Sequence, residues 1–291
     1  MIRRFTSAVL DLTLNPAKVL CALMLSHSQG IEAVEFMISR KTGLPEWKHG
    51  LREPMLQTVV AHLPAAVHFT IGAVSLSHQF TLMRAAASQM IMLELHSAIT
   101  RVFDDSAIIQ LDALRNMHLF QTTATTLAAE FLTRVVSRIS APNLEVLTLG
   151  NLLDGNETAI PVVVERFPRL VKLLLLDDIP PSGVYLRGNQ FPVLHMVVLQ
   201  ADPAEVMKGL RDCQWESIGD ALRTMDGQIK QLQCCYRDPV GITGNLFRQL
   251  VERRLSVVDR PLSPSIRIVE GLRNPLPGWA RFDDDAAGWG T

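Results

Sequence analysis

Three segments of the chain share one pattern of hydrophobic positions, P-x-L-x-x-[LV]-x-L. They are APNLEVLTL at 141–149, FPRLVKLLL at 167–175 and FPVLHMVVL at 191–199, with successive offsets of 26 and 24 residues. In each segment a single residue separates the last two apolar positions. This alternation predicts a short β-strand whose alternate side chains enter a core. The first leucine is expected in a bend that closes the same core. Because one unit cannot bury its apolar face alone, the recurrence predicts stacked units.

The same spacing of apolar residues extends along most of the chain. Equivalent triplets are Ser7/Leu10/Leu12, Ile31/Val34/Phe36, Ala66/Phe69/Ile71, Met90/Leu93/Leu95, Leu114/Met117/Leu119, Ile229/Leu232/Cys234 and Ser263/Ile266/Ile268. The segments between them mix apolar and polar residues at helical spacing. The helices predicted in this way are Ala17–Ser26, Pro54–Leu63, Asp105–Leu114, Thr125–Ile139, Ala159–Arg166, Ala204–Arg211 and Leu246–Leu255.

Alternating strands and helices at this pitch predict an α/β fold built as a leucine-rich-repeat-like solenoid. A curved parallel sheet would form its concave side, and helices and irregular segments its convex side. We expect the solenoid to span residues 1–270, with its clearest repeats at 139–210. The Pro- and Gly-punctuated residues 271–291 are expected to form a flexible C-terminal tail.

Composition narrows the class of protein. Hydrophobic residues make up 48% of the chain and the net charge is -1, which argues against nucleic-acid binding by bulk electrostatics. The four cysteines form no CxxC pair and are expected to be reduced thiols of an intracellular protein, cytoplasmic or nuclear. Residues 54–83 contain no charged side chain, but two prolines and three histidines lie among them. We therefore interpret this stretch as a helix, a short strand and a turn region, and expect no membrane span.

The three proline-containing segments resemble the divergent leucine-rich repeats of fungal F-box proteins. That resemblance implies recruitment of a substrate protein to a cullin–RING ubiquitin ligase through the repeats. In that family an F-box helical module precedes the repeats and binds the ligase adaptor. We expect no such module in this sequence, because the first predicted strand begins at Ser7. We therefore expect a protein partner and no direct adaptor contact, and a repeat-only scaffold or regulator is the alternative.

Motifs of enzymes and metalloproteins are absent from the chain. It contains no phosphate-binding glycine loop, no G-x-S-x-G, no H-E-x-x-H and no paired-cysteine zinc pattern. We expect a non-enzymatic protein without a cofactor or metal.

Outward positions of successive strands should form columns about 4.8 Å apart. The predicted central column is Asp11, Glu35, Thr70, Glu94, His118, Thr148, Leu174, Val198 and Gln233. Glu94 and His118 become lateral neighbours there, with His96 two residues along from Glu94. A metal site or an acid–base pair is one interpretation, and a polar recognition surface that favours cationic groups on a partner is the other.

This predicted concave face is the candidate partner-binding surface. Its residues are Glu94, His96, His118, Phe120, Lys172, Leu174, Leu176, Met196 and Val198. One half is acidic and rich in histidine, and the other half is aliphatic. Exposed aliphatic residues on a sheet call for an explanation. A partner could contact them, the tail with Trp279 and Trp289 could cover them, or the predicted register could be wrong by one residue.

Overall fold

The computed structural model describes residues 7–11, 30–37, 53–72, 76–96, 107–120, 135–150, 167–176, 193–200, 220, 231–236, 249 and 265–270. In these residues the chain is an α/β protein whose main feature is a ten-stranded parallel sheet. Its strands are β1 (Ser7–Asp11), β2 (Ala33–Met37), β3 (His68–Ile71), β4 (Met92–His96), β6 (Asn116–Phe120), β8 (Val146–Gly150), β9 (Lys172–Leu176), β10 (Met196–Gln200), β11 (Gln231–Tyr236) and β12 (Ser265–Glu270). The two short strands β5 (Ile109–Gln110) and β7 (Ile139–Ser140) form a separate parallel pair.

Strands follow one another in the sheet in their order along the chain, as expected for stacked units. From β2 to β12 the observed register aligns the apolar positions that the sequence pattern predicted, for example Leu93 beside Met117 and Val197 beside Leu232. The prediction is wrong for β1, where Leu10 pairs with Phe36 and not with Val34. A shift of two residues preserves which side chains face the core, so the hydrophobic pattern could not detect it. Asp11 therefore leaves the central column, and Val9 takes its place beside Glu35.

A β-turn before the strand explains the P-x-L part of the pattern. The amide of Leu144 donates to Ala141 O at 3.1 Å, and the amide of Leu170 donates to Phe167 O at 3.1 Å. Residues 63–66 and 111–114 form the same hydrogen bond. The first and last residues of all four turns are fully buried. Proline suits the second position because its fixed φ matches that of the turn.

A shared acceptor carbonyl joins each unit to the next. Ile91 O accepts hydrogen bonds from the consecutive amides of Arg115 and Asn116, at 2.9 and 3.2 Å. Arg115 O in turn accepts from Glu145 and Val146, at 2.8 and 3.0 Å. Six such joints link residues 32 to 196. Because every joint lies directly before a strand, it fixes where that strand begins, whatever the length of the preceding return segment.

One face of the sheet, which we call the leucine face, forms the main core. Every second residue of each strand faces this side, and the side chains of Leu93, Leu119, Leu147 and Leu173 are fully buried there. Two helices lie in the connections before β3 and β4 and contact each other, α1 (Glu53–Ala61) and α2 (Leu76–Ala86). Their buried residues recur at helical spacing, as in Leu56, Val59 and Val60 of α1.

Several sequence-based helix predictions need correction. Helix α2 was predicted as a turn region, because its apolar residues are interrupted by polar ones at 77–79. The predicted helix Asp105–Leu114 is wrong over residues 109–114, which form β5 and a turn. The described end of Thr125–Ile139 is helical at 135–138 and then becomes β7. The predicted helices Ala17–Ser26, Ala159–Arg166 and Ala204–Arg211 lie outside the described residues, as does the tail 271–291.

The uncharged stretch at residues 54–83 is divided in the structure between α1, β3 and the start of α2. Helix α1 has 9 residues and α2 has 11. Within the described part of the chain, no helix has the length and apolar character needed to span a membrane.

Candidate functional site

The second face of the sheet carries the predicted site residues, and we call it the Glu94 face. Its central column is Val9, Glu35, Thr70, Glu94, His118, Thr148, Leu174, Val198, Gln233 and Arg267. Most of this column was predicted correctly. Its exposure was not, because Glu94 is only 3% exposed, His118 6% and Thr148 0%. The middle of the face is therefore shielded from solvent.

Two hydrogen bonds organise the polar half of the column. His96 Nε2 donates to Glu94 Oε1 at 2.7 Å, which joins the two polar side chains of β4 on this face. His118 Nδ1 and Thr148 Oγ1 are hydrogen-bonded at 2.7 Å across the junction of β6 and β8. Glu94 Oε2 and His118 Nε2 are buried and have no hydrogen-bond partner. Buried polar atoms are nearly always paired, so these two atoms mark an unusual point in the fold.

Burial controls the protonation of this half of the face. Burial, together with a smaller effect of the Lys172 charge, lowers the pKa of His118 to about 4. His118 is therefore neutral near pH 7. Burial also raises the pKa of Glu35. The charge of His96 partly offsets this rise, and the charge of Glu94 adds to it. Glu35 thus belongs to the same electrostatic cluster as Glu94 and His96.

The aliphatic half of the column is a second apolar cluster. Leu174 is 4% exposed and Val198 2% exposed, and Phe120, Val146 and Met196 pack against them. Of the three explanations that the sequence left open for these aliphatic residues, the burial of Leu174 and Val198 favours coverage by the chain itself. A wrong register is not the explanation, because Leu174 pairs with Thr148 and Val198 as predicted, and Leu173 and Val197 face the main core. The chain itself shields these two side chains, while the Leu176 side chain and the tail lie outside the described residues.

The positions flanking the central column remain partly accessible. Met92, Asn116, Lys172 and Met196 form a first-position column of half-buried side chains at the starts of their strands. At the other end of the strands, the rings of His96 and Phe120 stack with centroids 5.6 Å apart. The predicted site residues thus divide into a buried middle and two half-buried flanks.

The edge that precedes the strands is polar and exposed. Arg115 Nη1 lies 3.6 Å from Glu145 Oε1, and Asn143 Nδ2 donates to Asp112 O at 2.9 Å. Arg169 Nη1 donates to Asn143 Oδ1 at 2.8 Å, which links the turns of neighbouring units. The Arg115–Glu145 and Arg169–Asn143 contacts join equivalent positions of neighbouring units, so part of this edge repeats with the strands.

Sequence reasoning placed Thr148 in the column but did not assign it to the site, and it missed Gln79 entirely. The buried Gln79 Nε2 donates to His96 O at 2.8 Å and to Gly72 O at 3.3 Å, so α2 is tied to the ends of β3 and β4. A polar residue between apolar ones in a helical pattern was the only signal for Gln79. The Thr148 contact could have been found from the column alignment, because it is the lateral neighbour of His118.

In the residues that the structure describes, no group of three or more His, Cys, Asp or Glu side chains could hold a metal ion. No protein-family model matches this chain, and no curated protein matches it either.

Proposed function

We propose that this chain is a leucine-rich-repeat-like solenoid that recognises a protein partner along the starts of its strands. The observation that carries the proposal is the repeated unit of shared acceptor carbonyl and strand, which recurs at six joints, four of them preceded by the same turn. Such a unit places equivalent side chains in continuous columns, and repeat proteins use extended surfaces of this kind for binding. Binding of this kind does not require a single central pocket.

The first-position column and the adjoining edge are the proposed contact surface. They combine apolar and charged groups, among them Ile91 at 39% exposure, Val193 at 46% exposure and the Arg115–Glu145 pair. Apolar anchors surrounded by polar groups are typical of specific protein interfaces. The buried middle of the Glu94 face lies beside this surface and is not itself part of it.

The resemblance to fungal F-box proteins supports a more specific role, which is recruitment of a substrate protein to a ubiquitin ligase. A repeat-only scaffold is the second candidate, because both roles use the same surface. They differ in the fate of the partner. In the first role, depletion of this chain raises the partner's abundance, and in the second it leaves abundance unchanged while a complex is lost.

A photo-crosslinking amino acid at Asn116 tests the contact surface, with the same residue at the exposed Ala61 of α1 as the matched control. We expect a protein to crosslink at position 116 and not at position 61. The purified partner should then bind Asn116→Glu and Met92→Glu at least about tenfold more weakly, and Ala61→Glu normally. Equal crosslinking at both positions, or equal binding by all variants, would reject the proposed surface.

Comparison of partner abundance with and without this chain, in the presence and absence of a proteasome inhibitor, separates the two roles. If partner abundance rises when this chain is removed, and the proteasome inhibitor causes the same rise when the chain is present, the result supports substrate recruitment. Unchanged abundance supports the scaffold.

A further inference from the structure

The strongest unexplained feature is a pair of unpartnered polar atoms on neighbouring strands. Glu94 and His118 are register partners on β4 and β6, whose backbones are about 4.8 Å apart in such a sheet. Both side chains are more than nine-tenths buried, and Glu94 Oε2 and His118 Nε2 have no hydrogen-bond partner. Leaving a buried polar group without a hydrogen bond destabilises the fold, and the cost is greater for a charged group. Two such atoms side by side indicate a place for a ligand.

We propose that Glu94 and His118 form a binding site for a protonated nitrogen group, either an alkylammonium or a guanidinium. Glu94 Oε1 is already engaged by His96, which leaves Oε2 to accept a charge-assisted hydrogen bond. His118 contributes a second acceptor when its Nδ1–H donates to Thr148 Oγ1, because Nε2 then carries a lone pair. A ligand with several N–H donors matches both atoms at once.

The charges around the pair favour a cation over an anion. The Glu94 carboxylate lies close enough to Glu35 to contribute to the raised pKa of Glu35, and a bound cation would offset this repulsion. His96, on the same strand as Glu94, is the basic side chain in that part of the cluster, and it is already bonded to Oε1. Lys172 approaches His118 from the opposite side, since β9 is separated from β6 by β8. The ligand therefore belongs on the side of β4, away from Lys172.

This site is distinct from the surface proposed for protein recognition, which lies at the starts of the strands. Both acceptor atoms are shielded, so a ligand is enclosed by the protein when it is bound. Inside such an enclosure an ion pair is screened less than in water, which strengthens the interaction. Two sources share the required chemistry, namely a free small amine or guanidine and an Arg or Lys side chain of another protein.

Imidazole nitrogen NMR on protein labelled at its histidines tests the site, with ethylguanidinium as the probe. Tetramethylammonium at equal ionic strength is the matched control, because it carries the same charge without an N–H donor. We expect ethylguanidinium to shift the His118 signals and tetramethylammonium to leave them unchanged. Glu94→Gln should weaken ethylguanidinium binding about tenfold or more, since it removes a charge-assisted hydrogen bond. Glu145→Gln, which removes an exposed carboxylate at the edge, should bind normally.

The comparison of ethylguanidinium with tetramethylammonium on the wild-type protein tests the proposal even if Glu94→Gln does not fold. Absence of a His118 shift with ethylguanidinium, or an equal shift with tetramethylammonium, would overturn the proposal. So would a zinc-induced shift that exceeds the ethylguanidinium effect and depends on Glu94, because that result would define a metal site. A short arginine peptide distinguishes the sources, since it binds only if the site accepts a protein side chain. Ethylguanidinium binding and partner crosslinking at position 116 are measured separately, so failure of one proposal is separable from failure of the other.

Discussion

The buried neutral His118 should make the stability of the fold depend on pH. Its pKa is about 4 in the folded protein, against an ordinary value of 6.5. Above pH 6.5 the ring is neutral in both the folded and the unfolded chain, so it contributes no pH dependence. Between pH 6.5 and about 4 the unfolded chain takes up a proton that the folded chain does not. The free energy of unfolding therefore falls as the pH falls through this window, and levels off below it.

The magnitude follows from the difference between the two pKa values. Each unit corresponds to 1.36 kcal/mol, so the full loss is about 3 kcal/mol. That is a large share of the 5–15 kcal/mol by which native proteins are typically stable. The burial responsible for the shift is direct, because the His118 side chain lies between Glu94 and Thr148 on a shielded part of the sheet.

Urea unfolding of the wild type and of His118→Asn at pH 7.5 and at pH 4.5 measures this effect. Asparagine keeps a polar group near Thr148 but does not titrate. The stability difference between the two proteins should shrink by about 2–3 kcal/mol on acidification. Comparing the two proteins removes the contribution of Glu35, whose raised pKa acts in the opposite direction, and that of His68, whose lowered pKa acts in the same one. A difference that stays constant with pH would refute the reasoning.

Three further variants test the two faces and the turn, each by urea unfolding. Leu147→Ala should lose about 2–5 kcal/mol, because it leaves a cavity in the leucine face, and a loss below 1 kcal/mol would mean that the core is loosely packed. Leu174→Asp should lose at least about 3 kcal/mol by burying a charge, whereas Lys172→Asp on the same strand should lose less than half as much; equal losses would contradict the shielding of Leu174. Pro168→Ala should lose about 0.4–1 kcal/mol, and unchanged stability would show that proline does not restrict the turn.

The strands and most of the columns were predictable because the pattern repeats. A leucine before the strand and two within it are all buried, and the distances between successive triplets equal those between successive joints. Local alternation alone would have left the register open. The β1 error shows the limit, since Ala8 and Leu10 fill the same face as Leu10 and Leu12 would have done.

What escaped prediction depends on contacts between distant parts of the chain. Alternation indicates that Leu174 and Glu94 point away from the leucine face, but it does not indicate whether that second face is covered. The hydrogen bond between His118 and Thr148 requires side-chain conformations that spacing does not specify. Helix α2 escaped because one of its buried positions is the polar Gln79, which is stabilised by backbone carbonyls at the strand ends.

The shared acceptor carbonyl has a consequence for how such a chain can change length over evolution. Residues 68–91 and 92–115 each run from just after one acceptor to the next. Loss or duplication of such a stretch would leave every remaining joint with its acceptor and both donors. Shorter insertions would fall in a return segment and leave the neighbouring strands where they are. Unequal spacing between units, as between Arg115 and Glu145, is therefore what piecemeal growth of the gene can produce without disturbing the sheet.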